Sequence, residues 1–215
     1  MKAFEDLPRM PGTGEGAAAL FDRAEPPAAP EAAAYLQRRA IPAEVALEAD
    51  VRFAPRFDGR PAVLVAMRGA RGELRAVHGR YLHNRRGEPQ MLTVGCPGGV
   101  VSALGGWRAD PVVLVEGLFD ALSLATCGRA AAATVGRWAE WLPAACAGRD
   151  VWIAFDGNRP GEEAAERAAD RLVDARVRRL RPPPRCQDWN TALRKRGRAE
   201  LVRWLARWLG DRTGP

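Results

Sequence analysis

The chain has 215 residues, enough for one domain with an added lobe or two small domains and too few for a large multidomain machine. With 47% hydrophobic and 27% charged residues it excludes wholesale disorder, and no apolar run approaches the ~18 residues of a membrane-spanning helix, so it reads as cytoplasmic with no membrane partner. The net charge of +7 is unevenly placed: residues 176–215 carry twelve basic residues against three acids, residues 51–86 nine against two, and the remainder is acidic, a pattern that suggests an anionic polymer held around a carboxylate site.

Residues 1–30 mix Pro and Gly with alanines and show little apolar periodicity, which predicts a flexible leader. Helical periodicity runs from Glu31 to Arg39, breaks near Ile41-Pro42 and resumes to about Glu48. Pro61 to Arg68, Glu73 to Leu82 and Gln90 to Val94 are apolar or alternating runs separated by turn signals, so residues 31–106 read as a small α+β lobe. From residue 107 the texture alternates. Pro111 to Val115 reads as a buried strand, Leu118 to Cys127 as a helix ended by Gly128, and Ala130 to Val135 as a strand. Trp138 to Cys146 reads as a helix with both its tryptophans in the core, Val151 to Phe155 as a strand, and Pro160 opens a helix running to Ala175. Strand and helix in alternation imply parallel strands with right-handed crossovers, a doubly wound α/β sheet over residues 107–197 that binds ligands at the carboxyl ends of its strands. Pro182-Pro183-Pro184 reads as a rigid spacer, and residues 198–215 as an amphipathic helix whose Leu201, Val202, Trp204, Leu205, Trp208 and Leu209 face the core or a partner.

Two of the predicted strands end in acid: Val112 to Val115 delivers Glu116, and Val151 to Phe155 delivers Asp156. Carboxylates at one edge of a parallel sheet can converge on a hard cation such as Mg²⁺, whose shell substrate phosphates and water complete. The alternative for Asp120 and Asp156 is helix capping, which aspartate does well.

These residues also carry a resemblance. Val115-Glu116-Gly117-Leu118-Phe119-Asp120-Ala121-Leu122 resembles the glutamate motif of TOPRIM domains, shared by topoisomerases and bacterial or phage primases. Phe155-Asp156-Gly157-Asn158-Arg159-Pro160-Gly161 resembles the second motif, an Asp-x-Asp, and Gln187-Asp188-Trp189-Asn190-Thr191 resembles the Lys-Asp-Trp-Asn-Asp motif of phage and plasmid primases. Upstream, Tyr35 to Ile41 and Gly79-Arg80-Tyr81-Leu82 are similar to the N-terminal half of a primase core, so the resemblance spans about residues 31–197. It implies a TOPRIM-like, mostly parallel sheet preceded by a primase-core lobe, acting in Mg²⁺-dependent (or Mn²⁺-dependent) synthesis of RNA primers on a single-stranded DNA template. It further implies Glu116 as metal-linked acid/base with Asp120 in support, and Glu116, Asp156, Asn158 and Asp188 around the metal. Arg80, Arg85, Arg86 and Arg159 are assigned to the nucleic-acid or nucleotide groove from charge and position. Asn158 stands where the family has its second aspartate: an amide oxygen still ligates Mg²⁺, but one formal charge is gone, so metal binding should be weaker or lean more on substrate phosphate.

The remaining residues prune the family. No Gly-x-x-x-x-Gly-Lys-Ser/Thr loop is present for a fused helicase, and the four cysteines have no zinc spacing and read as reduced thiols. His78 and His83 read as strand-edge residues, so any zinc module or helicase is expected on a separate chain. Tyr35 and Tyr81, the only tyrosines, are both N-terminal, which discounts strand passage. Besides the primase reading, a TOPRIM metal-dependent nuclease and a catalytically weakened nucleic-acid-binding replication accessory stay open.

Overall fold

A computed structural model describes residues 14–210. Three helices, α1 (Gly14–Asp22), α2 (Pro30–Arg38) and α3 (Ala43–Glu48), precede strands β1 (Arg52–Phe57), β2 (Arg60–Arg68), β3 (Leu74–Tyr81) and β4 (Met91–Gly95). These four strands form an antiparallel sheet in chain order. The second sheet takes β5 (Val101–Ala103), β6 (Val112–Val115), β7 (Ala131–Ala133), β8 (Asp150–Ile153) and β9 (Arg176–Arg179) in the order β5-β7-β6-β8-β9, with β5 alone antiparallel. Between and after its strands come α4 (Leu118–Thr126), α5 (Leu142–Cys146), α6 (Arg159–Arg171) and α7 (Trp189–Leu209). The mixed α/β, doubly wound architecture expected from the alternating pattern is present.

β6 explains why. All four of its residues are buried, Val113 and Val115 in one cluster with α4 and α7, and Val112 and Leu114 in another with α5 and α6. A strand covered on both faces must be apolar throughout, which is the unbroken run the sequence shows. The first cluster also takes in Tyr35, Leu36, Val63, Val65 and Met67, so both sheets share a core. β5, upstream of residue 106, hydrogen-bonds to β7 and therefore joins the second sheet, not the lobe.

Several expectations are corrected. The leader contains α1, whose Ala17 and Phe21 pack on Phe57, Leu64, Val77 and Tyr81, because the outer face of the antiparallel sheet is apolar and needs cover. Residues 1–13 and 211–215 lie outside the described residues. The helix from Trp138 shrinks to Leu142–Cys146, with Pro143 in its first turn: a proline fits there, but in the interior of a helix begun at Trp138 its ring would clash with the carbonyl four residues back. Trp141 is meanwhile drawn off to the carbonyl of Gly98 (2.6 Å) and Trp138 toward the guanidinium of Arg171. Both tryptophans are half-buried beside a groove. β1 and β9 carry no apolar pattern, since Pro55 and a β-bulge interrupt one and three arginines fill the other, an edge strand. His78 is not at an edge: it is buried on the interior strand β3, where Nδ1 pairs with Thr93 Oγ1 at 2.9 Å and burial holds its pKa at about 3.

α7 runs through Gly197, whose φ of 77° and ψ of 163° kink it into two segments. The left-handed φ is open to glycine at little cost. Beyond the kink Leu201 and Leu205 are fully buried against α4 and the rest of the core, whereas Trp208 is 51% exposed. The tail face is thus split between core and surface. Leu201→Ala should cost about 2–5 kcal/mol in denaturant unfolding, while Trp208→Ala should stay within about 0.5 kcal/mol of the parent.

Candidate active site

Glu116 leaves the C-terminal end of β6 and Asp156 follows the end of β8, neighbouring parallel strands, so the two acids emerge at the same edge. They touch: Glu116 Oε1 accepts the backbone N–H of Asp156 at 3.2 Å. The loop after β8 is held by Arg179, whose guanidinium donates to the carbonyls of Ile153, Phe155, Asp156 and Leu180 and to Glu162 Oε1, at 2.7–2.9 Å. α6 starts so close beneath that a Cβ on Gly161 would collide with the Asp156 backbone.

The start of α7 completes the edge. Asp120, in the first turn of α4, accepts the N–H of Trp189 at 2.9 Å and that of Asn190 at 3.2 Å, both on Oδ1. The Trp189 indole donates to the Ala154 carbonyl at 2.7 Å, and Asn190 donates to the Arg39 carbonyl and Ser123 Oγ. Capping falls elsewhere than the alternative reading had it: Asn158 caps α6 by accepting the Gly161 N–H at 2.8 Å, and Asp188 caps α7 by accepting that of Thr191. Asp156 caps no helix, and Asp120 leaves its own helix uncapped while serving as acceptor for the first two N–H groups of α7.

The charges are in conflict. Burial and the carboxylates of Glu116 and Asp188 push Asp156 up to about 7, relieved by a hydrogen bond to Gln187 and by Arg179. Burial, Asp156 and Asp188 push Asp120 up to about 8 against the two backbone donors, and burial raises Glu116 as well. Like charges this close favour a counter-cation, and the donors are all hard oxygens of the kind Mg²⁺ takes. Among the described residues, however, no three such side chains converge tightly enough to hold an ion unaided. The residue types fit a cation shared with substrate phosphate and water rather than one caged by protein.

The structure therefore brings together Glu116, Asp120, Asp156 and Asp188, with Asn158 committed to its cap. Arg159 adjoins them on the first turn of α6, 90% exposed and paired with Glu163. Arg80 lies on β3, donating to Gln90, and Arg85 and Arg86 sit on the β3–β4 connection, Arg85 facing Glu88. No hydrogen bond or ion pair among the described residues links these three arginines to the carboxylates. Sequence reasoning missed Arg179 and Gln187, for nothing in a run of arginines or in an exposed glutamine marks which one meets a site.

Residues 111–199 match the Toprim domain family, and residues 12–101 match a domain of unknown function, DUF7146. No curated protein matches the chain. Among solved structures, the Aquifex aeolicus primase (zinc-binding and RNA polymerase domains) superposes with a TM-score of 0.67 at 18% identity over 91% of this chain and 62% of that one. The Escherichia coli primase catalytic core gives 0.66 at 22% over 90% and 79%. The Mycobacterium tuberculosis primase RNA polymerase domain, in complex with a double-stranded DNA oligomer with a 6-nucleotide overhang, gives 0.65 at 19% over 90% and 79%. The chain spans under two thirds of the Aquifex structure's length. The chain carries a Toprim-like domain at residues 111–199. Its fold as a whole is that of the primase catalytic cores.

Asp120→Asn keeps an acceptor for the two amides while removing the titration. The folded carboxyl holds its proton to about pH 8 and an unfolded aspartate loses it near 3.8, so between these values the metal-free parent loses stability as pH rises. The slope is at most about 1.4 kcal/mol per pH unit. Denaturant melts should show the variant gaining on the parent between about pH 4 and pH 8; a gap independent of pH would contradict the buried neutral acid.

Proposed function

We propose that this chain is the nucleotidyl-transfer core of a DNA primase, joining ribonucleotides on a single-stranded DNA template with Mg²⁺ or Mn²⁺ as cofactor. The observation that carries the reading is the contact of Glu116 with Asp156 across neighbouring parallel strands, beside Asp188 at the start of α7 and Asp120 in the first turn of α4. Glu116, Asp156 and Asp188 would hold the cation, which when bound neutralises triphosphate charge and acidifies the attacking hydroxyl. Glu116 Oε1 is occupied by the Asp156 N–H, and Oε2 makes no hydrogen bond among the described residues, so Oε2 is the oxygen free to take the hydroxyl proton. Its raised pKa brings it nearer the pH at which a general base works best. Asp120 acts through α7 as a positioning residue, fixing the turn that presents Asp188. Arg80, Arg85, Arg86 and Arg159 would contact template or nucleotide phosphates, and the likeness to a primase domain captured with a DNA overhang supports such a partner.

A second reading, a nucleic-acid-binding accessory with weakened catalysis, is favoured by Asn158: its amide is neutral and its Oδ1 is already spent on the α6 cap. The same site turned on water would give a nuclease. Incubation with single-stranded template, labelled ribonucleotides and Mg²⁺ separates the three as extension, binding alone or cleavage.

Glu116→Gln should lower extension by about 10²–10⁴-fold with an unchanged melting curve, since the change is nearly isosteric and removes the proton acceptor. Undiminished turnover would exclude Glu116 as the base. Asn158→Asp keeps a capping oxygen and adds a charge, so extension should reach half its maximum at a lower Mg²⁺ concentration, read in a metal titration of both forms. Unaltered metal dependence would place residue 158 outside the cation's reach.

A further inference from the structure

Beyond β9 the chain makes a loop that neither the fold nor the carboxylate site explains. Arg181 spends Nε and Nη2 on Glu162, Pro182 and Pro183 are buried, and Arg185 adopts a left-handed φ of 66° in an exposed position. The second segment of α7 returns across this loop after the Gly197 kink, and the Trp204 indole donates to the Arg181 carbonyl at 3.3 Å. Between them lies a groove of about 390 Å³ that reaches Gly157, the residue after Asp156, and so opens toward the carboxylate edge.

Three properties of the groove point to one occupant. Trp208 lines it with half its surface exposed, one turn beyond Trp204, and packs into none of the core clusters. Arg185 lines it with no hydrogen bond or ion pair among the described residues, and no carboxylate lies in its walls. The prolines and the buried Trp189 anchor behind them make the loop stiff, so a ligand would pay little ordering cost. A flat aromatic face beside an unpaired guanidinium is the combination that binds single-stranded nucleic acid, stacking a base while neutralising a phosphate. A duplex does not fit the same features, since its bases already stack on one another.

We propose that this groove is a binding subsite for single-stranded nucleic acid, with Trp208 as the stacking platform and Arg185 as the phosphate contact, leading the strand past Gly157 to the carboxylates. The proposal rests on the primase reading for its purpose, though its test does not depend on primer synthesis.

The full chain is titrated into 5′-fluorescein-labelled dT12, followed by anisotropy at several salt concentrations, with a blunt 12-base-pair duplex as competitor. Trp208→Ala should weaken dT12 binding by roughly 5- to 100-fold, and Trp208→Phe should restore most of it. Arg185→Ala should reduce the slope of log affinity against log salt by about 0.7. Unchanged affinity and slope in both alanine variants, a duplex competing as well as dT12, or no binding of dT12 by the parent would each overturn the subsite. Trp208-dependent binding by a parent that makes no primers would sustain the groove and defeat the primase reading; primers made with Trp208 and Arg185 dispensable for binding would do the reverse.

Discussion

The docking of the first turn of α7 onto Asp120 is the contact on which the site depends. One carboxylate oxygen takes the N–H groups of Trp189 and Asn190, the two residues that open the helix, and thereby satisfies donors that a buried helix end otherwise leaves stranded. Each such donor left unpaired in the interior costs about 1–3 kcal/mol. From the same turn Trp189 reaches the last part of the β8 region at Ala154, and Asn190 reaches Arg39 in the N-terminal lobe and Ser123 in α4. Four segments distant in sequence therefore meet at one helix start. Asp188 stands one residue before it and is positioned by the whole assembly.

Against this fixed frame the carboxylates strain electrostatically. Asp156, Glu116 and Asp120 all hold their protons more tightly than free acids do, because burial takes all three out of water and other carboxylates stand beside Asp156 and Asp120. Arg179 is the counterweight. Its guanidinium is turned into the backbone of the β8 loop, binding carbonyls on either side of Asp156 instead of neutralising the acid directly. That arrangement fixes the position of Asp156 while the nearby guanidinium partly offsets the cost of its charge.

Much of this was legible in the residues. The unbroken Val112–Val115 run announced a strand buried on both faces, and the acids after it and after Val151–Phe155 announced a charged edge, since parallel strands place their carboxyl ends together. The motif at Asp188-Trp189-Asn190 marked the third segment, though not that Asn190 would bridge to Arg39. Other elements were hidden because their pattern is polar. β9 is a strand of three arginines that pairs with β8 as a sheet edge, and β1 tolerates Pro55 by a bulge. α1 escaped notice because alanines and glycines give a helix little periodic signal until a sheet face lies opposite.

Sequence alone determined the alternation of strand and helix from β6 to α6, the two basic segments, and the carboxylates that end β6 and follow β8, since these follow from local periodicity and from the rule that parallel strands align their ends. Only the tertiary structure decided which side chains act on one another. It alone showed that Asp120 holds α7 while Asn158 and Asp188 cap helices, that Arg179 and not another arginine grips the loop after β8, and that the tail divides into buried leucines and an open tryptophan. Those assignments turn on distances of about 3 Å between residues tens of positions apart, and no local pattern encodes where a long-range hydrogen bond will close.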